Sequence, residues 1–442
     1  MGTAQCKTGS AFCVCCQSSS HGSKQETPDP NQQTGPLWYE NRTAQQSHCI
    51  ILYNYKPRTA DDLLIKKGEE IEVLRIEGEW TFVRKIDASR EMEQPEEGYV
   101  PSSFVAEVGS VAAAPWFFGS MLHMDVKRCL LRDENQNGSF LVWQNKEMND
   151  IYFLSVRYDD IVKHYKISGD SSFQALSQII KHYSKEAGCL GIRLHEPCIK
   201  LDRPSLCTLA HAADWEIQHS SLQKVQLIGS GQCGEVWEGI WNGTTEVAIK
   251  VLKGVGSNSK KSFLEEAKIM QPLCHERLVK LLAVCTESEP YYIVTELMKR
   301  GNLQKYLRFH SERRNLDFSL LSGFAIQIAE GMTYLEEKCY IHRDLRTENI
   351  LLTEMLSCKI ADFGLARLLE NGQRRLSHDK ENAEFVKDLM NGVMPPPAGC
   401  PESFHDMMLQ CWEQKSEKRP TFKQLQNTLM KCNPVPETEE LR

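Results

Sequence analysis

Apolar and polar positions change their period several times along this 442-residue chain. From Gln17 to about Ser47 no period is visible, and Ser, Gln, Asn, Pro and Thr dominate. Such a stretch cannot bury enough apolar surface to offset the ordering of its backbone, so a flexible tether is expected. Structure is expected from Cys49 onward. Ile50 to Tyr55 is a strand-like run, Lys67-Gly68-Glu69 a turn, and Ile71-Glu72-Val73-Leu74 alternates as a half-buried strand does. Short strands separated by such turns suggest a small barrel. Further on, Val236 to Trp241 alternates, Asn242-Gly243 is a hairpin turn, and Glu246 to Leu252 is a second strand. Phe263 to Met270 then switches to helical spacing.

The length allows about three domains, each with its own core. A net charge of −7 with 25% charged residues gives no electrostatic case for nucleic-acid binding. No apolar run approaches the roughly 18 residues a membrane span needs, and no signal peptide is recognisable. The 17 cysteines are therefore expected as free thiols in the cytoplasm. Cys6, Cys13, Cys15 and Cys16 lack the His or second Cys-x-x-Cys that a tetrahedral metal site would require. Two readings of this tail stay open. Met1-Gly2 fits myristoylation at Gly2, with those four cysteines as palmitoylation candidates, which would bring the chain to the inner face of the plasma membrane. Against this, Cys6 stands where Ser or Thr is preferred and Lys7 and Lys24 make no basic patch, as in an unmodified tail.

Tyr340-Ile341-His342-Arg343-Asp344-Leu345-Arg346-Thr347-Glu348-Asn349, followed by Asp362-Phe363-Gly364, resembles the catalytic and metal-binding loops of protein kinases. Ile228, Gly229, Ser230, Gly231, Gln232, Cys233, Gly234, Glu235 and Val236 carry a GxGxxG pattern that dinucleotide folds also use. Here two strands flank it, where a dinucleotide fold would need a helix. The resemblance implies that these residues cover ATP, that Lys250 contacts its phosphates, and that Glu266 rather than Glu265 holds Lys250 in place. It further implies Thr295 beside the adenine pocket in Tyr291 to Met298, Asp344 as the base, and Asn349 and Asp362 as Mg2+ ligands. His342 and Arg343 are expected as supports. Arg346 resembles tyrosine kinases of the Src type rather than serine/threonine kinases.

Leu52-Tyr53-Asn54-Tyr55, Glu79-Trp80 and Gly98 to Val105 resemble an SH3 domain, with an insert at about 88–97. This implies a groove for proline-rich ligands made by Tyr53, Tyr55, Asp62, Trp80, Pro101 and Phe104. Trp116-Phe117-Phe118-Gly119, Gly138 to Val142, Tyr152 to Arg157 and Val162 to Ile167 resemble an SH2 domain. Trp143 stands where that family places its phosphate-clamping arginine, and indole offers one donor and no charge. With His123, His164 and Lys166 as the remaining polar groups, phosphotyrosine binding is expected to be weak or absent. The implied architecture is multidomain: tail 1–47, SH3 β-barrel 48–109, SH2 α+β 114–204, linker 205–220, a bilobal kinase-like α+β domain 221–432, and tail 433–442. The linker carries Asp214-Trp215-Glu216-Ile217 and, as an internal SH3 ligand, only Pro204. The resemblance is to Src-like non-receptor tyrosine kinases, nearest the Brk/Frk/Srms branch through Leu376-Ser377-His378-Asp379.

The pattern breaks after residue 379. The activation tyrosine, the substrate-docking segment, Ala-Pro-Glu and the central helix of the lower lobe are missing, roughly sixty residues against the full motif set. Glu381 to Val386, Met394-Pro395-Pro396-Pro397 and Cys400 to Ser403 resemble sequence beyond that helix. No tyrosine follows Tyr340, so neither usual tyrosine switch is present. Arg419 is expected as a buried charge without its carboxylate, costing about 3–5 kcal/mol, and Met407, Met408, Leu409 and Trp412 as side chains without their core partner. Nucleotide binding is thus expected to outlast turnover, and the alternative reading is a non-catalytic SH3/SH2 adaptor or ATP-binding scaffold.

Overall fold

The structure is a computed structural model and describes residues 47–86, 96–145, 148–168, 172–201, 204, 215–231, 234–252, 257–312, 318–364, 366–368, 396, 399–413, 415–433 and 438–441. The lipidation candidates, Gln232, Cys233, most of the 88–97 insert, linker positions 205–214 and the segment 369–395 lie outside them.

Five strands form the first unit: β1 (Ser47–Ile51), β2 (Glu70–Glu77), β3 (Trp80–Lys85), β4 (Glu97–Pro101) and β5 (Val105–Glu107). Their order is β4-β3-β2-β1-β5. The expected strand from Ile50 to Tyr55 ends at Ile51, and Tyr55 rejoins only through a bridge to Ile65. Gly68, at φ +89°, turns the chain into β2, a conformation with no steric cost for glycine.

The second unit holds β6 (Phe117–Met121), α1 (His123–Leu130), β7 (Phe140–Asn145), β8 (Met148–Tyr158), β9 (Ile161–Ile167) and α2 (Phe173–Lys185). Its sheet is covered on one face by α2, through Leu176 and Ile180, and on the other by α1, through Val126 and Leu130.

The third unit begins with β10 (Leu222–Gly231), β11 (Gly234–Trp241), β12 (Thr245–Leu252), α3 (Ser257–Met270), β13 (Leu281–Cys285) and β14 (Tyr292–Glu296), in sheet order β10-β11-β12-β14-β13. Asn242 and Gly243, at φ +47° and +69°, are the left-handed pair at the centre of the turn from β11 into β12, closed by the Thr244 amide donating to the Trp241 carbonyl at 3.1 Å. Below lie α4 (Leu303–Glu312), α5 (Phe318–Glu337), β15 (Tyr340–Ile341), β16 (Ile350–Leu352), β17 (Cys358–Ile360), β18 (Arg367–Leu368), α6 (Glu402–Cys411) and α7 (Phe422–Lys431). Thr421 caps α7 in a reciprocal box with Gln424, satisfying two otherwise orphaned backbone donors. β19 (Glu439–Leu441) returns to the second unit and pairs with β9.

Three expectations need correction. Residues 433–442 are not simply a tail, because β19 is a strand with Leu441 2% exposed. Arg419 is exposed and donates from Nε to the Glu413 carbonyl at 2.6 Å. Among the described residues its side chain is exposed, so the charge is hydrated and the burial penalty does not arise. Met407 is not left without a core, for it packs with Ile326 and Ala329 of α5, Leu429 of α7, and Leu122 and Met124 at the start of α1. Met408, Leu409 and Trp412 are half-buried.

The units also touch through polar contacts. Gln327 on α5 donates to Asp125 on α1 at 3.0 and 3.2 Å, and Lys280 pairs with Glu79 at 2.7 Å. Among the described residues, no helix is long and apolar enough to cross a membrane.

Candidate active site

β12 carries Lys250 beneath the glycine-rich hairpin, and helical spacing turns Glu266 of α3 toward it. Lys250 Nζ donates to both Glu266 oxygens, at 2.7 and 2.6 Å, and lies 3.8 Å from Asp362 Oδ1. Burial pushes the Glu266 carboxyl above its ordinary value, against the pull of the Lys250 ammonium. Glu265 does not take this position.

The lower edge of the site is held by backbone geometry. His342 is buried, its Nε2–H donating to the Ala361 carbonyl at 3.0 Å while Nδ1 accepts from the Asp344 amide at 3.3 Å. Burial also lowers its pKa, so the neutral ring that this tautomer requires is favoured. Asn349 Nδ2 donates to Asp344 Oδ2 at 2.8 Å and to the Asp344 carbonyl at 2.9 Å, fixing the carboxylate. Arg346 pairs with Glu348 at 2.8 Å, and Arg343 is exposed at φ +70°. Phe363 inserts into the core with Phe263, Met270 and Leu273, while the adjoining Asp362 keeps its side chain 49% exposed. Two neighbours thus divide the work: one anchors the loop and the other presents a carboxylate.

Above this floor, Gly231 and Gly234 face each other across the β10–β11 hairpin. A Cβ at Gly234, whose φ is +148°, would lie 2.1 Å from the Val251 carbonyl, so only glycine allows this close approach. Gly229 pairs with Val236 and Ser230 with Glu235, and Ile228 is 41% exposed. Thr295 is half-buried on β14, opposite Ala248. The described site therefore joins Lys250, Glu266, Asp344, Asn349 and Asp362 under a glycine-rich cover. One ammonium, one exposed carboxylate and one oriented amide suit a phosphate chain bridged to a divalent cation, which binds through few protein ligands and keeps phosphate oxygens.

The candidate residues of the other two units are buried or half-buried. In the first, Tyr55, Trp80, Pro101 and Phe104 are buried and Tyr53 is half-buried. Asp62 accepts from the Tyr55 hydroxyl and, at 2.9 Å, from the Arg58 amide. The Arg58 guanidinium lies 5.0 Å from the Trp80 ring and 5.4 Å from that of Trp241 in β11, and Asn242 Nδ2 donates to the Arg58 carbonyl at 2.6 Å. Pro204 lines a cavity beside Tyr55 and Phe104. In the second unit, Trp143 is fully buried, stacks on Phe153 at 4.9 Å, and donates to Ser155 Oγ at 2.8 Å. Ser155 in turn meets His164 Nδ1 at 2.7 Å. Burial, then the neighbouring His123 and Lys127, push the His164 ring down to about 4, and burial also lowers His123. Lys166 is half-buried on β9. Composition and spacing gave no hint of Arg58, Ser155 or β19, because each acts through a partner distant in sequence.

Comparison with family models agrees with this geometry. A model described as protein tyrosine and serine/threonine kinase matches in two stretches, residues 222–387 and 372–429. The SH2 domain model matches residues 116–183 and the SH3 domain model residues 50–102. The chain therefore carries an SH3 domain, an SH2 domain and a protein kinase domain in the order of Src-like kinases, and is a non-receptor tyrosine-kinase-like protein. A kinase domain implies use of ATP and a divalent metal and a protein substrate. SH3 and SH2 domains imply interactions with proline-rich and phosphotyrosine ligands.

Proposed function

We propose that the chain is a non-receptor protein-tyrosine kinase, nearest the Brk/Frk/Srms branch, that binds ATP with Mg2+ and transfers the γ-phosphate to protein tyrosine. The observation that supports this reading is the Lys250–Glu266 pair beside Asp362, together with an Asp344 carboxylate already fixed by Asn349. When bound, ATP and its metal supply the transferable phosphoryl group and neutralise the charge that develops on it. Lys250 places a positive charge on the phosphates, and Glu266 keeps its side chain from swinging away. Asp344 would orient the incoming hydroxyl and receive its proton, and Asn349 and Asp362 would hold the metal. Arg346 supports tyrosine as the acceptor. Phosphotyrosine binding by the SH2 domain is weak or absent in this reading, because the Trp143 indole occupies the place of a charged donor.

The test is radiolabelled phosphate transfer from ATP to a tyrosine polymer by the full chain, paired with Asp344→Asn. Transfer by the unaltered chain that falls at least a hundredfold in the variant, with ATP binding retained in both, would support this reading, since a positioned base contributes about 10²–10⁴-fold. No transfer by a folded chain that still binds ATP would overturn the transferase reading and leave an ATP-binding scaffold.

A further inference from the structure

The seam between the SH3 and SH2 domains holds a cavity of about 290 Å³ that belongs to neither domain alone. Tyr53 and Ser103 line it from the SH3 side, Phe117, Phe118 and Lys200 from the SH2 side, and Pro204 lines it as well. Ser103 is exposed and the other five are half-buried, so the cavity opens to solvent. Tyr53 packs on Phe104 with ring centres 5.2 Å apart, which carries the aromatic surface of the SH3 domain up to this cavity. The Lys200 ammonium donates to the Phe117 carbonyl and lies 4.9 Å from the centre of the Phe118 ring. Among the described residues no carboxylate pairs with it. The charged neighbour that weighs on it is Lys67, of the same sign, and burial together with that repulsion pushes its pKa down to about 8. A partly buried cation without a counter-ion rewards an incoming anion more than an open surface does.

We propose that the proline groove of the SH3 domain continues into the SH2 domain at this cavity, and that Lys200 selects proline-rich partners with an Asp or Glu two or three residues from the proline seated on Tyr53. The spacing follows from the ligand. Polyproline II rises about 3.1 Å per residue, so two or three residues cover roughly 6–9 Å, the breadth of such a cavity. An ammonium has three donors, and the bond to the Phe117 carbonyl leaves two for a carboxylate. Selection then takes both domains: the SH3 aromatics receive the proline, and the SH2 lysine adds a demand for charge. The inference rests on the SH3 domain taking proline-rich ligands and is independent of phosphoryl transfer. It gives the SH2 domain a part in recognition that needs no phosphate.

The probes are short fluorescein-labelled proline-rich peptides made in pairs, with Glu or Gln two or three residues to either side of the proline, titrated against the full chain by anisotropy. One Glu peptide is expected to bind about fivefold more tightly than its Gln twin, as for one ion pair at the upper end of the exposed range. Lys200→Met keeps the apolar stem; it is expected to abolish that preference and to leave the affinity for the Gln peptide unchanged, which reports an intact groove. Lys200→Arg is expected to retain the preference. Equal affinity within every pair, a Glu preference that survives Lys200→Met, or an equal loss for both twins in that variant would overturn the proposal. Binding of no peptide by the folded chain would instead sink the SH3 ligand reading, and this inference with it.

Discussion

At the scale of single residues, Trp143 of the SH2 domain organises a short polar chain around itself. An arginine at position 143 would need an anion; the Trp143 indole needs one acceptor and finds it in Ser155, which meets His164. His164 is thereby committed to a dry environment that opposes its protonation. The sign of the pH effect follows. The folded-state pKa of about 4 lies below the ordinary 6.5, so the unfolded chain binds the proton more readily. This contribution is intact above about pH 6.5 and is lost as pH falls toward about 4, on the order of 3 kcal/mol over that window. Calorimetry from pH 7 to 4.5 is expected to show the SH2 transition falling less steeply in His164→Gln than in the unaltered chain. That Trp143 lacks a charge could be read from the sequence. Its burial against Ser155 and His164 could not, because strand register, not spacing, brings these residues together.

Among the elements, the kinase-like sheet and its glycine hairpin were the most legible, since their signals are local: alternation, Asn242-Gly243 and the spacing of Phe263 to Met270. The site followed from them, with Lys250 meeting Glu266 as the helical period requires. What lay beyond reach was the packing of α6 and α7. Arg419 and Met407 were expected to be left without partners, but the first is hydrated and the second is covered by α1, α5 and α7. The two residues should therefore respond differently to truncation. Arg419→Ala is expected to change stability by less than about 0.5 kcal/mol, as for other exposed positions. Met407→Ala should cost about 2–5 kcal/mol. Chemical denaturation of the two variants checks this, and a large loss from Arg419→Ala would restore the buried-charge view.

On the scale of the whole molecule, domains that read as separate modules turn out to share their surfaces. The SH3 aromatics face the kinase sheet, with the Arg58 carbonyl accepting from Asn242. A proline-rich ligand must then displace a contact before it binds. Asn242→Gly keeps the left-handed turn but removes that hydrogen bond, a net loss of about 1 kcal/mol. Binding of a proline-rich peptide to the full chain is expected to tighten about fivefold, measured by titration calorimetry, and unchanged affinity would mean that this contact does not guard the groove. The same seam has an optical consequence. Trp80 and Trp241, each 1% exposed, flank one guanidinium from opposite domains. Their emission colour should register the distance between the SH3 and kinase units, shifting to the red when the two part and water reaches the rings, so the chain carries its own unlabelled reporter of domain opening.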